Sequence, residues 1–321
     1  MKSFRGKMVS GGRAEIVSID EGVRQWQNYN AARNLSPRSI EFYDECHEMF
    51  QSFYNCTMPC RSLSEDVIYE YIAFLRKRGV KDTTVNSYMR AMRAMCYYFM
   101  KMGYTAPFQV TLVKLQKTVK ETYSDHELAA LLAKPAISKV TFVEYRNWVI
   151  VNYLLATGNR ESTICNLRIR DLDFDSDTIH LTHTKNRREQ LIPMSKTIRG
   201  VLKEYLKYRE GEQDDWLFCN VNGEKLTADG LKQAIHRYNK KRGVAKTSVH
   251  LFRHTFAKKW ILNGGDVFRL QRILGHSSMD IVREYVNMFG HDLHRDFDTF
   301  NPLEEFGDSN KPVAPSMRKR R

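Results

Sequence analysis

Between residues 250 and 285 the chain gathers side chains able to act on a phosphate ester. His250 and Arg253 stand three apart, which places them on one face of a helix. His276 follows Gly275 and precedes Ser277 and Ser278, residue types that open helices. Tyr285 then falls on the helix those serines would start. A cation, two imidazoles and a phenol on three consecutive helices suit one task. They can bind a phosphodiester and attack it with a tyrosine oxygen.

The elements that must position these groups can be read along the chain. Residues 1–18 are expected to be flexible and basic. A helix is predicted over 19–34, with Val23, Trp26 and Tyr29 or Asn30 on one side. Ser36 and Pro37 form a capping residue followed by proline at the first helical position. Ile40, Tyr43, His47, Phe50 and Tyr54 follow at helical spacing. Ser64 opens a third helix stopped by Gly79, and Thr83 or Thr84 opens a fourth closed by Gly103. The stretch 106–122, with Pro107 and the basic run 114–120, reads as a linker.

A second domain opens at Ser124 and Glu127, spaced as a capping box. A buried helix is predicted over 143–157, then the turn 157–159, then Arg160, then a helix over 161–168. Strands are predicted at 172–174, 178–182 and 190–193, with 186–188 as the turn of the last pair, so Lys185 sits at a hairpin tip. Helices follow at 198–208 and 228–241. After Tyr285 an amphipathic segment carries Leu293, Phe297, Phe300 and Phe306.

The fold class is therefore α+β, mainly α with a small antiparallel β-sheet. An all-helical domain (19–105) precedes a mostly helical domain with a three-stranded sheet (123–290). A C-terminal segment (291–307) and a disordered basic tail (308–321) complete it.

Bulk properties narrow the partner. The chain has 321 residues, enough for two domains, and 42% hydrophobic residues, enough for a core. It carries 51 basic against 37 acidic residues, a net charge of +14. That excess favours a polyanionic partner, nucleic acid first, although a merely basic protein would show it too. No apolar run is long enough to span a membrane, and residues 1–13 lack the apolar core of a secretory signal, so a cytoplasmic location is expected. Cys56 and Cys60 with His47 nearby hint at zinc. No second ligand pair follows at finger spacing, so free thiols are the expectation.

Taken together, His250-x-x-Arg253, Leu274-Gly275-His276 and Tyr285 resemble the catalytic end of the tyrosine recombinases, the phage integrase family. Thr157-Gly158-Asn159-Arg160 resembles that family's T-G-x-R, and Lys185 resembles its hairpin lysine. The resemblance implies a helical core-binding domain followed by a catalytic domain, closing around double-stranded DNA. It also implies a homotetramer on paired sites, with the segment after Tyr285 docking on a neighbouring protomer.

The implied catalytic set is Arg160, Lys185, His250, Arg253, His276 and Tyr285. Arg160 and Arg253 would hold the nonbridging oxygens with planar forks. Tyr285 would be the nucleophile, and His250 would take its proton. His276 would hydrogen-bond the phosphate, and Lys185 would protonate the departing 5′ oxygen. The implied product is a 3′-phosphotyrosine and a free 5′ hydroxyl, without metal, cofactor or ATP, because the arginines supply the positive charge.

Basic residues of the first domain, Arg38, Lys77, Arg78, Lys81, Arg90, Arg93 and Lys101, would contact phosphates without reading sequence. The family commonly has an acidic residue three after the first arginine. Here that place is Thr163, and Glu161 is adjacent instead. His254 is expected to face elsewhere and has no assigned role.

Singly, each residue has an ordinary explanation. Tyr285 lies among Ile281, Val282 and Met288, as a core tyrosine would; the histidines suit structural or surface sites, Arg160 a helix end and Lys185 a solvated turn. The joint pattern outweighs these. Two rivals stand beside a site-specific recombinase for integration, excision or resolution. One is a DNA-binding protein with an inactive site, and the other a type IB topoisomerase-like enzyme that relaxes DNA alone. A nucleotide enzyme is disfavoured, since no G-x-G-x-x-G or Walker loop occurs.

Overall fold

The computed structural model describes residues 16–115, 120–182, 189–275, 278–289, 301 and 303. Two compact units divide the chain, Met1–Thr118 and Val119–Arg321.

The first unit holds four helices: α1 (Ile19–Ala32), α2 (Pro37–Gln51), α3 (Glu65–Lys77) and α4 (Asp82–Lys101). Three of them start where serines cap them. The hydroxyls of Ser18, Ser36 and Ser64 accept from the backbone N–H of Glu21, Ser39 and Val67. The helix α1 ends two residues earlier than predicted, and Asn34 turns the chain at φ 60°. The helix α4 starts at Asp82, before the threonines, and its cap residue Lys81 makes no side-chain cap bond. Asp82 instead complements the helix dipole and accepts from Arg76 Nε at 3.0 Å. Apolar faces of the helices meet around Trp26, Phe50, Tyr71, Met89 and Phe99.

The chain after α4 is fastened back onto that helix. Asn86 exchanges two 2.8 Å hydrogen bonds with the backbone of Val113. Arg93 donates to the Val110 carbonyl at 2.9 and 2.6 Å, so its charge serves the fold. All six cysteines are free and buried. His47 gathers with Asp20 and Cys56 rather than with Cys60, whose thiol donates to the Ser18 carbonyl. The His47–Asp20 hydrogen bond of 2.9 Å accounts for that cluster.

The second unit opens on α5 (Asp125–Leu132), where the Ser124–Glu127 capping box forms in both directions. Next come α6 (Phe142–Thr157) and the single turn α7 (Glu161–Ile164). Strands β1 (Leu172–Asp173), β2 (Thr178–Leu181) and β3 (Gln190–Pro193) make an antiparallel sheet in that order. Then follow α8 (Lys196–Arg209), α9 (Ala228–Lys241), α10 (Val249–Leu262), α11 (Val267–Leu274) and α12 (Asp280–Phe289).

The helix α6 is buried nearly all round and packs against α8, α9 and α10. In β2 and β3, Ile179, Leu181 and Ile192 point inward while His180 and Leu191 face out, the period-two alternation expected of a half-buried sheet.

The helix predicted over 161–168 stops at Ile164. Beyond it the backbone pairs with another segment. Leu167 O accepts from Leu217 N at 2.8 Å, and Ile169 N donates to Asp215 O at 3.0 Å. Those pairings take the groups a longer helix would need. The predicted hairpin turn, Lys185, residues 291–300, the whole tail (308–321) and residues 1–15 lie outside the described residues. Among the described residues no helix is long and apolar enough to cross a membrane.

Gly158 ends α6 at φ 62°, a conformation a side chain strains. A Cβ there would stand 2.6 Å from Phe256 Cδ1 and 2.8 Å from Leu274 Cδ2. Gly158→Ala should therefore cost about 1–3 kcal/mol in backbone strain and about 1–3 kcal/mol in overpacking. At about 2–4 °C per kcal/mol, Tm should fall by roughly 5–20 °C. A thermal melt within about 2 °C of the unaltered protein would contradict this.

Candidate active site

The turn after α6 is locked by its own side chains. Thr157 Oγ1 donates to Tyr153 O at 2.8 Å and accepts from Asn159 N at 3.3 Å. Asn159 Nδ2 donates to Tyr153 Oη at 2.8 Å. These bonds fix the chain that delivers Arg160 as the extended cap residue of α7. Arg160 Nη1 reaches the carbonyl of Gly275 at 3.5 Å, the long limit for such a bond. Glu161 pairs with Lys232 at 3.4 Å, and Thr163 is buried.

The helix α10 buries Val249 and Phe252 in the main core. Its neighbouring face carries His250, Arg253 and His254. Arg253 is 3% exposed, and its two Nη atoms split between two helix ends. Nη1 donates to Gly158 O and Nη2 to Leu274 O, each at 2.8 Å. Gly158 follows the last residue of α6, and Leu274 is the last residue of α11. Helix C-terminal carbonyls lack intrahelical donors and carry partial negative charge, so they offset part of the cost of burying this cation. Burial first, then Arg160, brings its pKa down to about 10, so it stays charged at neutral pH.

The α11 end is itself held from outside. Gln190, the first residue of β3, donates through Nε2 to Ile273 O at 2.8 Å and to Arg272 O. Gly275 follows at φ 60°, and a Cβ there would stand 2.8 Å from Gln190 Oε1. The left-handed φ is what favours glycine in the L-G-H motif, since the Gln190 amide end can shift aside.

Tyr285 is 1% exposed and packs in a small cluster with Ala257, Leu270, Leu274 and Val282. Its hydroxyl donates to His254 Nδ1 at 2.6 Å, with the ring nitrogen taken as the acceptor. Lys120 Nζ lies 4.7 Å from the centre of the Tyr285 ring and pairs with Glu284 at 2.7 Å. Burial raises the phenol pKa, which Arg253 and Arg160 partly oppose, and Glu284 raises it further. The resting phenol is therefore protonated.

The structure thus places Arg160 and Arg253 within electrostatic reach of each other and of both His250 and Tyr285. Lys185 and His276 lie outside the described residues. The expectation that His254 faces elsewhere is overturned. His254 follows His250 by four residues, close to one helical turn, so both rings share a side, with centroids 5.0 Å apart at 83°. That spacing was the signal to use. Lys120 and Gln190 had no comparable signal, because only the folded chain brings them here.

His250 is exposed as a residue, yet the protein around its ring lowers its pKa, and Arg253 lowers it further. His254 is pushed down to about 4 by burial first, then by His250, Lys120 and Arg253. An unfolded histidine titrates near about 6.5. As pH falls the unfolded chain binds the proton first, so this contribution is absent at pH 8. It grows as a loss of stability from about pH 6.5 down to about pH 4, reaching up to about 3 kcal/mol. Denaturant unfolding at pH 7.5 and 4.5 should show the loss, and His254→Asn should remove part of it. An equal loss in both proteins would contradict the assignment.

The sequence pattern of the phage integrase family matches residues 122–291, and that of the phage integrase SAM-like domain matches residues 23–115. The chain is 26% identical over 283 residues to tyrosine recombinase XerD of Listeria innocua, covering 84% of this chain and 94% of that protein. Among solved structures, the Tn1549 transposon integrase in complex with a circular intermediate DNA shares the fold. Its TM-score is 0.71 at 19% identity, over 91% of this chain and 99% of that one. A lambda integrase tetramer bound to a Holliday junction gives a TM-score of 0.65 at 14% identity, over 82% and 78%. With the integrase match spanning more than half its length, the chain belongs to the phage integrase family.

Proposed function

We propose that this chain is a site-specific DNA recombinase that breaks and rejoins strands through Tyr285. The observation that supports the reading is that Tyr285, buried and hydrogen-bonded to His254, lies where the charges of Arg253 and Arg160 act on its phenol. In the reaction the Tyr285 oxygen bonds to phosphorus while the bond from phosphorus to the 5′ oxygen breaks. The phenol proton leaves to a base, and the departing 5′ oxygen gains a proton. The product is a 3′-phosphotyrosine and a free 5′ hydroxyl. The phosphoester bond is kept, so a second strand's hydroxyl reverses the step without ATP.

Arg160 and Arg253 meet the charge that builds on the nonbridging oxygens. Fixed donors of that kind typically contribute about 10²–10³-fold each. His276 and Lys185 keep their proposed parts as phosphate donor and general acid, from motif position. The domain limits stay as proposed: helical DNA-binding domain 19–105, catalytic domain 123–290. The lambda integrase is a tetramer on its junction. We carry that assembly to this chain as a homotetramer on paired duplex sites, with residues 291–307 docking on a neighbour.

A DNA substrate nicked beside the scissile phosphate tests the reading. Unaltered protein, incubated without added metal on DNA flanking its gene, should give a covalent band on a denaturing gel. Peptide mass mapping should place the nucleotide on Tyr285. An adduct mapped to another residue would refute the assignment. Relaxation of supercoiled DNA without exchange between sites would favour the topoisomerase-like alternative.

A further inference from the structure

The proton acceptor expected for Tyr285 was His250, but among the described residues the imidazole that touches the phenol oxygen is that of His254. We propose that His254 is a positioning residue for strand cleavage. Its Nδ1 accepts the Tyr285 hydroxyl and fixes the nucleophile's oxygen. The inference rests on the recombinase reading and goes beyond it, because H-x-x-R, L-G-H and the tyrosine do not include residue 254.

The geometry supports a built contact. The hydrogen bond is 2.6 Å and joins residues 31 apart in sequence on α10 and α12. The tyrosine ring is enclosed by Ala257, Leu270, Leu274 and Val282, so its oxygen has little freedom. The His254 ring is braced edge-on by His250, with centroids 5.0 Å apart. Among the described residues, the charged and titratable groups facing the pair are His250 and Arg253 from α10, Lys120 before α5, Arg160 at α7 and Glu284 from α12.

Those groups also define what His254 does. Its cationic neighbours and its burial keep the imidazole neutral at physiological pH, so it can accept a hydrogen bond. The phenol remains protonated and can donate one. His254 therefore orients the oxygen in the resting site rather than ionising it. Loss of the proton is left to the moment at which the bond to phosphorus forms and the arginines act.

The experiment has two readouts. The first needs no DNA. 3-Fluorotyrosine is placed at position 285, and its 19F signal is compared in the unaltered protein, His254→Asn and His254→Leu. The Asn amide oxygen can stand where Nδ1 stands, and Leu offers no acceptor. The Asn variant should keep the signal near its original position, and the Leu variant should shift it.

The second readout is the single-turnover rate of adduct formation, alongside DNA binding by gel shift. His254→Leu should cleave about 10- to 100-fold more slowly with binding unchanged. His254→Asn should recover at least about tenfold of that loss. A thermal melt of each variant identifies misfolding, and the Asn rescue is not expected of a purely structural role.

A 19F signal unmoved by Leu overturns this inference alone, as does a Leu variant that cleaves at the original rate or faster. Failure of Asn to rescue while holding the signal also overturns it, since an acceptor would then not suffice. An intact signal with no adduct in the unaltered protein overturns the recombinase reading, and this inference with it.

Discussion

Tyr285→Phe is expected to leave no covalent adduct on a nicked DNA substrate while DNA binding and folding persist. The change deletes one oxygen from a side chain that is 1% exposed, and the phenylalanine ring fills the same space among Leu270, Leu274 and Val282. Among the described residues, the structural cost is the hydrogen bond to His254 Nδ1. That leaves one acceptor unpaired, a penalty of about 1–3 kcal/mol that partial exposure of His254 reduces. The chemical cost is total, because no atom remains to bond to phosphorus. A melting temperature within a few degrees of the original, a retained gel shift and an absent adduct form the expected triple. A residual adduct would require another nucleophile and would end the Tyr285 assignment.

Arg253 carries the second large effect, and two substitutions separate its two tasks. Arg253→Lys keeps a positive charge but offers one nitrogen where two now reach Gly158 O and Leu274 O, both at 2.8 Å. Cleavage should fall by about 10²–10³-fold, the usual loss when a fixed donor to a developing oxyanion is removed. Arg253→Ala should match or exceed that loss and also destabilise the catalytic unit. It leaves two helix-end carbonyls without this donor, at about 1–3 kcal/mol each, offset in part because a costly buried cation has gone. Single-turnover cleavage and urea unfolding check both statements. A lysine variant within about threefold of the original rate would show that charge alone, without the fork, is enough.

Folding around Arg253 also explains why Gly158 and Gly275 matter beyond their turns. Both end helices at positive φ, and the carbonyls near those ends hold Arg253 and reach Arg160. A strained turn at either place would move an acceptor of an arginine proposed to act in cleavage. Gly158→Ala should therefore lower cleavage as well as Tm.

Local chemistry made much of this protein legible from its sequence. Ser36, Ser64 and Ser124 announced helix starts, because a hydroxyl before an apolar-periodic run has a backbone N–H within reach whatever the rest of the chain does. Three strands formed where short strand runs were expected, and Arg160, His250, Arg253 and Tyr285 were singled out as candidates by their resemblance to the family's motifs. Those signals span a few residues each, the range over which sequence fixes geometry directly.

Only the tertiary structure decided the rest. The early end of α7 depends on backbone pairing with residues 215 and 217. The anchoring of Arg253 depends on carbonyls 95 and 21 residues away. Lys120 reaches Tyr285 and Glu284 across more than 160 positions. His254 was half legible: helical periodicity put it on the side of His250, but nothing local could say that α12 would bring a phenol there. Periodicity states which way a side chain points, and packing of distant helices states what it meets.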